Sequence, residues 1–275
     1  MGSTLDQAIS RGAEAIRAAE FLLFSAGAGM GVDSGLPDFR GPEGFWRAYP
    51  AYRHLGLEFS DMANPRWFAD DPAFAWGFYG HRLNLYRATI PHLGFAILKD
   101  WSQSRSTFIF TSNVDGQFQS AGFEEHQLFE VHGAIRWAQC TQPCTSEVWN
   151  AGDLEVRVDE QTFRAGPPLP QCPHCSDVAR PNILMFGDWR FLGTRCEEQA
   201  QRYQRWRAGL DARKTVVIEM GAGTSIPTVR HEGEALLRKG ATLIRINPRE
   251  PQGPSGTLSL PMGALAGVTA LKDKL

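Results

Sequence analysis

No stretch of this 275-residue chain is apolar for the roughly twenty residues a membrane-spanning helix needs. The first residues, MGSTLDQAISRGAEAIRAAEF, lack the basic start and apolar core of a secretion signal. Charge of one sign is missing too. The 28 Lys and Arg against 30 Asp and Glu leave a formal net charge of -2, which argues against a general nucleic-acid binder. Cysteine is scarce and odd in number, five in all, which does not suit a disulfide framework in a chain without an export signal. Internal repeats and low-complexity tracts are absent. These absences leave an enzyme of the cytoplasm, with neither membrane nor nucleic acid as partner.

What is present is a core. Hydrophobic residues make up 43% of the chain, enough for one large domain or a large and a small one. Ala8, Ile9, Ala13, Ile16 and Ala19 fit one face of a leading helix. Apolar β-type runs then end in loops of unusual chemistry. Phe21–Ser25 enters a glycine loop, residues 106–111 enter Ser112-Asn113-Val114-Asp115-Gly116, residues 215–220 enter Gly221-Ala222-Gly223-Thr224-Ser225, and residues 242–246 enter Asn247-Pro248. Helical stretches such as Arg230–Arg238 alternate with them. The pattern predicts an α/β fold, a Rossmann-like parallel sheet with helices on both faces and ligands beyond the carboxyl ends of its strands. Two segments break the rhythm: about 41–86, rich in aromatics and proline, and Cys140–Cys175, bracketed by cysteine pairs.

Gly27-Ala28-Gly29 after an apolar strand allows a tight turn whose amides can face a pyrophosphate, although Val32 stands where a G-x-G-x-x-G motif would have its third glycine. Such a turn also serves simply to join strand to helix. Cys140-x3-Cys144 and Cys172-x2-Cys175, with 27 residues between the pairs, can place four thiolates around one tetrahedral zinc. Four thiolates leave no open position, so that zinc is structural. His174 lies between two of the thiols as a bystander, and Cys196 has no close partner in sequence. His132 follows the short apolar strand 128–131, where a histidine suits a hydrogen-bonded structural place or, near neutral pH, a general base. Asn113 and Asp115 suit a turn or a hydrogen-bonded ribose and carboxamide. Gly223-Thr224-Ser225 suits a helix cap or a phosphate or ribose.

Taken together, these residues resemble the sirtuin family, the NAD-dependent protein deacylases, from about Ala13 to the C-terminus. Gly27-Ala28-Gly29 with Ser34-Gly35-Leu36-Pro37-Asp38-Phe39-Arg40 is similar to the first family signature, Ser112–Gly116 to the second, and Val131-His132-Gly133 carries the catalytic histidine. The cysteine pairs match its zinc module, Arg180–Asp188 its peptide-pairing strand, and Gly223-Thr224-Ser225 and Ile246-Asn247 its later NAD loops. The resemblance implies NAD as co-substrate, one structural Zn2+ per chain and acyl-lysine proteins or peptides as substrates. It implies NAD contacts from Gly27, Ala28, Gly29, Asp38, Phe39, Arg40, Ser112, Asn113, Asp115, Gly223, Thr224, Ser225 and Asn247. Nicotinamide would leave as the acyl-lysine oxygen attacks the ribose carbon. His132 would then take a proton from a ribose hydroxyl so that the acyl group can transfer, with Phe39 and Arg40 shielding the reactive ribose. Phe186 and Gly187 would meet the peptide. Tyr79 and Arg82 resemble the Tyr-x-x-Arg pair with which some sirtuins accept succinyl or malonyl lysine. The implied division is an NAD-binding body, 1–137 and 181–275, with a helical and loop insert at about 41–86, and a zinc-ribbon module at 138–180.

The chain departs from the family pattern at the site. Gly31 stands in place of serine, Asp33 in place of a small residue, and Ser112 in place of glutamine. Gln117-Phe118 and Ala134 are further replacements. Mono-ADP-ribosyl transfer or NAD hydrolysis on the same fold is the alternative outcome these changes allow. A module that senses NAD without turnover is a third, opposed by His132.

Overall fold

A computed structural model describes residues 4–38, 41–53, 55–159 and 161–275. Phe39 and Arg40 therefore lie outside the described residues. The strands are β1 (Phe21–Ala26), β2 (Ser106–Thr111), β3 (Leu128–Glu130), β4 (Gly133–Cys140), β5 (Trp149–Asn150), β6 (Val158–Asp159), β7 (Arg164–Ala165), β8 (Ala179–Ile183), β9 (Thr215–Met220), β10 (Thr242–Ile246) and β11 (Leu258–Leu260). Six form one sheet in the order β11-β10-β9-β1-β2-β3, every pair parallel. Phe24 stands opposite Ile109 on one side and Ile218 on the other. The inner strands read as unbroken apolar runs because helices cover both faces. Leu22, Phe24, Ile109, Ile218 and Ile244 pack toward one helical layer, while Leu23, Phe108, Phe110, Val217 and Leu243 pack toward the other. The sheet and the leading helix, Thr4–Ala18, are as expected from sequence. The edge strand β11 was not anticipated, because Leu-Ser-Leu is too short to stand out from a loop.

Among its described residues, the aromatic segment folds into four short helices between Gly41 and Asp70 and one long helix, Pro72–Ala88. Asp71 caps that helix by accepting a hydrogen bond from Phe74 N at 3.2 Å, and Pro72 follows at a first-turn position where its missing N–H costs nothing. Its aromatic residues build a second core with Phe45, Tyr49, Tyr52 and Phe163. Phe163 belongs to the segment between the cysteine pairs. There β6 and β7 form a small antiparallel ladder laid against the Pro72–Ala88 helix. The expanded cysteine segment thus spends part of its length covering this helix. Strand β8 ends at Ile183, so the Arg180–Asp188 stretch is strand only in its first half. Among the described residues, no helix is long and apolar enough to cross a membrane.

Candidate active site

The glycine loop leaves β1 and folds directly onto the loop after β9. A Cβ on Gly27 would lie 2.7 Å from the Ala222 Cα, and one on Gly29 would lie 2.7 Å from the Gly221 Cα. Gly221 has φ +64° and would itself place a Cβ 2.3 Å from the Gly29 carbonyl carbon. Only glycine permits this contact. Gly27 N donates to Met220 O at 3.0 Å and Gly29 N to Gly221 O at 3.1 Å. The two flanking glycine amides therefore hold the loops together and are not free to meet a pyrophosphate.

Where the β1, β2, β8 and β9 ends meet lies a cavity of about 890 Å³. Gly27, Ala28 and Asp38 line it from the first loop, Ser112, Asn113 and Asp115 from the second, and Gly223, Thr224 and Ser225 from the third. His132, Tyr79, Arg82 and Phe186 face the same space. Three expected residues do not. Gly29 and Gly187 are not among the lining residues, and Asn247 is fully buried. Asn247 instead shapes the wall. Its Nδ2 donates to Ala222 O at 2.8 Å, and its Oδ1 accepts from Arg249 N and Glu250 N, both at 3.0 Å.

The cavity also takes in residues that sequence reasoning missed: Phe59, Tyr86, Arg249 and Glu250. Thr224 Oγ1 donates to Glu250 Oε1 at 2.5 Å, and Arg249 Nη1 lies 3.4 Å from Asp38 Oδ2, so these last two tie the loops across the mouth. Their sequence signal was weak, two charges following Asn247-Pro248.

Asn113 is fixed at both ends. Its backbone N donates to Thr111 Oγ1 at 3.0 Å, and its Nδ2 donates to Gly27 O at 3.1 Å. Burial pushes the Asp115 carboxyl up to about 6, against the opposing hydrogen bond it accepts from Gln117 N at 2.9 Å. Burial also pushes His132 below its ordinary 6.5, with a backbone hydrogen bond at Ser112 opposing. The imidazole is therefore neutral at physiological pH and able to accept a proton. Tyr79 and Arg82 are buried in the inner wall, with Arg82 only 5% exposed. Phe186 N donates to Ala63 O at 2.9 Å, which pins the stretch after β8 against the aromatic insert.

Asp33 is not in the cavity. Its Oδ2 accepts from Leu265 N at 2.8 Å, at the start of the Ala264–Lys272 helix.

Away from the cavity, Cys140, Cys144, Cys172 and Cys175 bring their sulfurs within 4.8 Å of one another. The Cys140–Cys175 and Cys144–Cys172 separations are 3.7 and 3.6 Å. Sulfurs about 2.3 Å from a tetrahedral zinc stand about 3.8 Å apart, so the four fit that ion and are too far apart for disulfides. His174 pairs with Glu147 at 2.8 Å and stays out of the cluster. Cys196 is buried, donates to Glu130 O at 3.4 Å, and has its thiol pushed up to about 11 by burial.

A doubly covered parallel sheet, a ligand cavity at its switch point and a four-cysteine module define a zinc-bearing, nucleotide-binding α/β enzyme class. The family model that matches is the Sir2 family, over residues 27–205. An NAD-dependent protein deacylase of Aeropyrum pernix is 30% identical over 92% of this chain and 91% of its own length. One of Thermus thermophilus is 30% identical over 97% and 93%. The mitochondrial NAD-dependent protein deacylase sirtuin-5 of Danio rerio is 32% identical over 62% and 58%. A Sir2 homologue solved as an NAD complex superposes with a TM-score of 0.71 at 23% identity, covering all of this chain and 94% of that one. Sir2Tm bound to a propionylated peptide gives 0.69 at 17%, covering 95% of each. The chain belongs to the Sir2 family.

Proposed function

We propose that this protein is an NAD-dependent protein lysine deacylase that releases nicotinamide and O-acyl-ADP-ribose, and that its acyl pocket takes chains ending in a carboxylate. One observation carries the reading. A half-buried, neutral His132 and the Asn113–Asp115 loop share a single cavity with an aromatic wall that holds Arg82. A nucleotide sensor needs only the loops, and a simple NAD hydrolase has no use for the Arg82 wall. The relatives named as deacylases support the same activity.

Ala28, Ser112 and the Gly223–Ser225 loop hold the phosphates and riboses, with Gly27, Gly29 and Asn247 fixing the loop shapes. Asn113 and Asp115 orient the nicotinamide and its ribose. NAD supplies a ribose whose bond to a cationic leaving group is primed to break. His132 accepts a proton from a ribose hydroxyl, which lets the acyl group transfer. Asp38 meets the cofactor from the first loop. Met185 and Phe186 with Gly187 receive the peptide backbone, and Tyr79 and Arg82 receive the acyl end. Residues 138–180 form the zinc module and the remainder the NAD-binding body, with the insert at about 41–86. The strand β4 runs across that boundary.

Incubation with NAD and acetyl-, succinyl- or unmodified-lysine peptides, followed by mass spectrometry, tests the reading. Nicotinamide release coupled to acyl-ADP-ribose is expected. Release without any peptide points to hydrolysis, and a protein that gains ADP-ribose points to transfer; either would sink it. His132→Ala should lower acyl transfer at least a hundredfold with NAD binding retained, as for loss of a general base. Normal turnover in that variant removes His132 from the role.

A further inference from the structure

We propose that Tyr86 is a third recognition group for the acyl terminus, forming with Tyr79 and Arg82 one clamp for a carboxylate. This rests on the acidic-acyl reading above and extends it to a residue outside the Tyr-x-x-Arg pair.

Residues 79, 82 and 86 follow i, i+3, i+7 spacing, so they share one face of the Pro72–Ala88 helix. All three line the cavity that holds His132. The Arg82 guanidinium packs among the rings of Phe59, Phe78, Tyr79 and Tyr86, with its carbon 5.2 to 5.7 Å from their centroids. Its Nε and Nη2 both donate to the Tyr86 hydroxyl oxygen, at 3.0 and 2.8 Å. Holding one edge of a planar fork fixes its plane, so Tyr86 orients the guanidinium before a ligand arrives.

The hydrogen bonds that remain unmade point to a ligand. The Tyr86 oxygen accepts twice from Arg82, and its own proton has no acceptor among the described residues. The Tyr79 hydroxyl is buried with no partner at all among the described residues. Burial raises both phenols above their ordinary range, so they stay protonated donors and supply no negative charge. Two donor hydroxyls beside a cation complement a carboxylate, which only accepts and has about four lone-pair sites to fill. An acyl chain that ends in a methyl group satisfies none of them.

The test is the ratio of kcat/KM on succinyl-lysine peptide to that on acetyl-lysine peptide, measured for the full chain, Tyr86→Phe, Arg82→Met and the double variant. A loss of folded protein lowers both rates alike and cancels in the ratio. Tyr86→Phe is expected to lower the ratio about tenfold, chiefly through KM for the succinyl peptide, as for loss of a hydrogen bond to a charged group. It should add little on top of Arg82→Met, because members of one clamp are not additive. If Arg82→Met collapses the ratio and Tyr86→Phe leaves it unchanged or raises it, the role of Tyr86 is overturned and the acidic-acyl reading stands. If Arg82→Met leaves the ratio unchanged, that reading fails and the clamp fails with it.

Discussion

The Asp33 carboxylate sits where the N-terminal amides of the Ala264–Lys272 helix lack intrahelical partners, and it accepts from Leu265 N at 2.8 Å. Gly263 leaves room for it: a Cβ there would stand 3.2 Å from Asp33 Oδ2. The residue acts as a helix cap delivered from a distant loop, and the site's departure from its family at this position is a matter of support. Asp33→Ala should lower the unfolding free energy by about 1 kcal/mol with kcat/KM retained. A large loss of kcat/KM with unchanged stability would return Asp33 to the chemistry. His132 and Asp115 give a second test at this scale. The imidazole must be neutral to act, and its pKa is lowered, so activity is present above that value and lost as pH falls through it. The Asp115 carboxyl, raised to about 6, loses its charge as pH falls through that value. The acid limb of kcat/KM should therefore lie below 6.5; a midpoint above 7 would contradict both placements. The sequence made the identities of these residues legible but not Asp33's partner, because a contact across 232 positions leaves no local pattern.

Among the elements, the Pro72–Ala88 helix shows what spacing reveals and what it hides. Tyr79 and Arg82 could be placed on one face from their separation alone. The opposite face could not be read, because its partner is the short β6–β7 ladder and adjoining chain from the cysteine segment, far away in sequence. A Cβ on Gly77 would meet the Phe163 carbonyl oxygen at 1.8 Å, and one on Gly80 would meet Val156 Cγ1 at 2.4 Å. These glycines, poor helix formers, are there to let that chain come close. Asn84 Nδ2 donates to Val156 O at 2.9 Å, and Arg87 reaches Leu154 O and Ala151 O, both at 2.5 Å. Gly77→Ala gains helix propensity yet must displace a carbonyl, so it should cost about 1–3 kcal/mol. On a chain of this size that is a fall of several degrees in Tm by calorimetry. An unchanged or raised Tm would show that the hairpin does not clamp the helix.

At the level of the whole molecule, the sheet was legible because its strands are buried on both faces and read as plain apolar runs. The zinc cluster was legible from two close cysteine pairs. What stayed hidden was the packing of the cysteine segment on the aromatic insert, made by rings at long sequence separation, such as Tyr49 and Phe163 at 5.3 Å. Metal content should be about one zinc per chain, and Cys172→Ala should abolish it. Because the cysteine segment also covers the acyl-pocket helix, metal loss should lower Tm and deacylation together. Full activity in a zinc-free sample would separate the two. The contact of Gly27 and Gly29 with Gly221 carries a consequence of another kind. The shelf on which a nucleotide would lie is made of two loops keyed into each other, and neither can be redesigned alone. Grafting a foreign phosphate loop after β1 would fail at a seam that no ligand touches, unless its counterpart after β9 were exchanged in the same step.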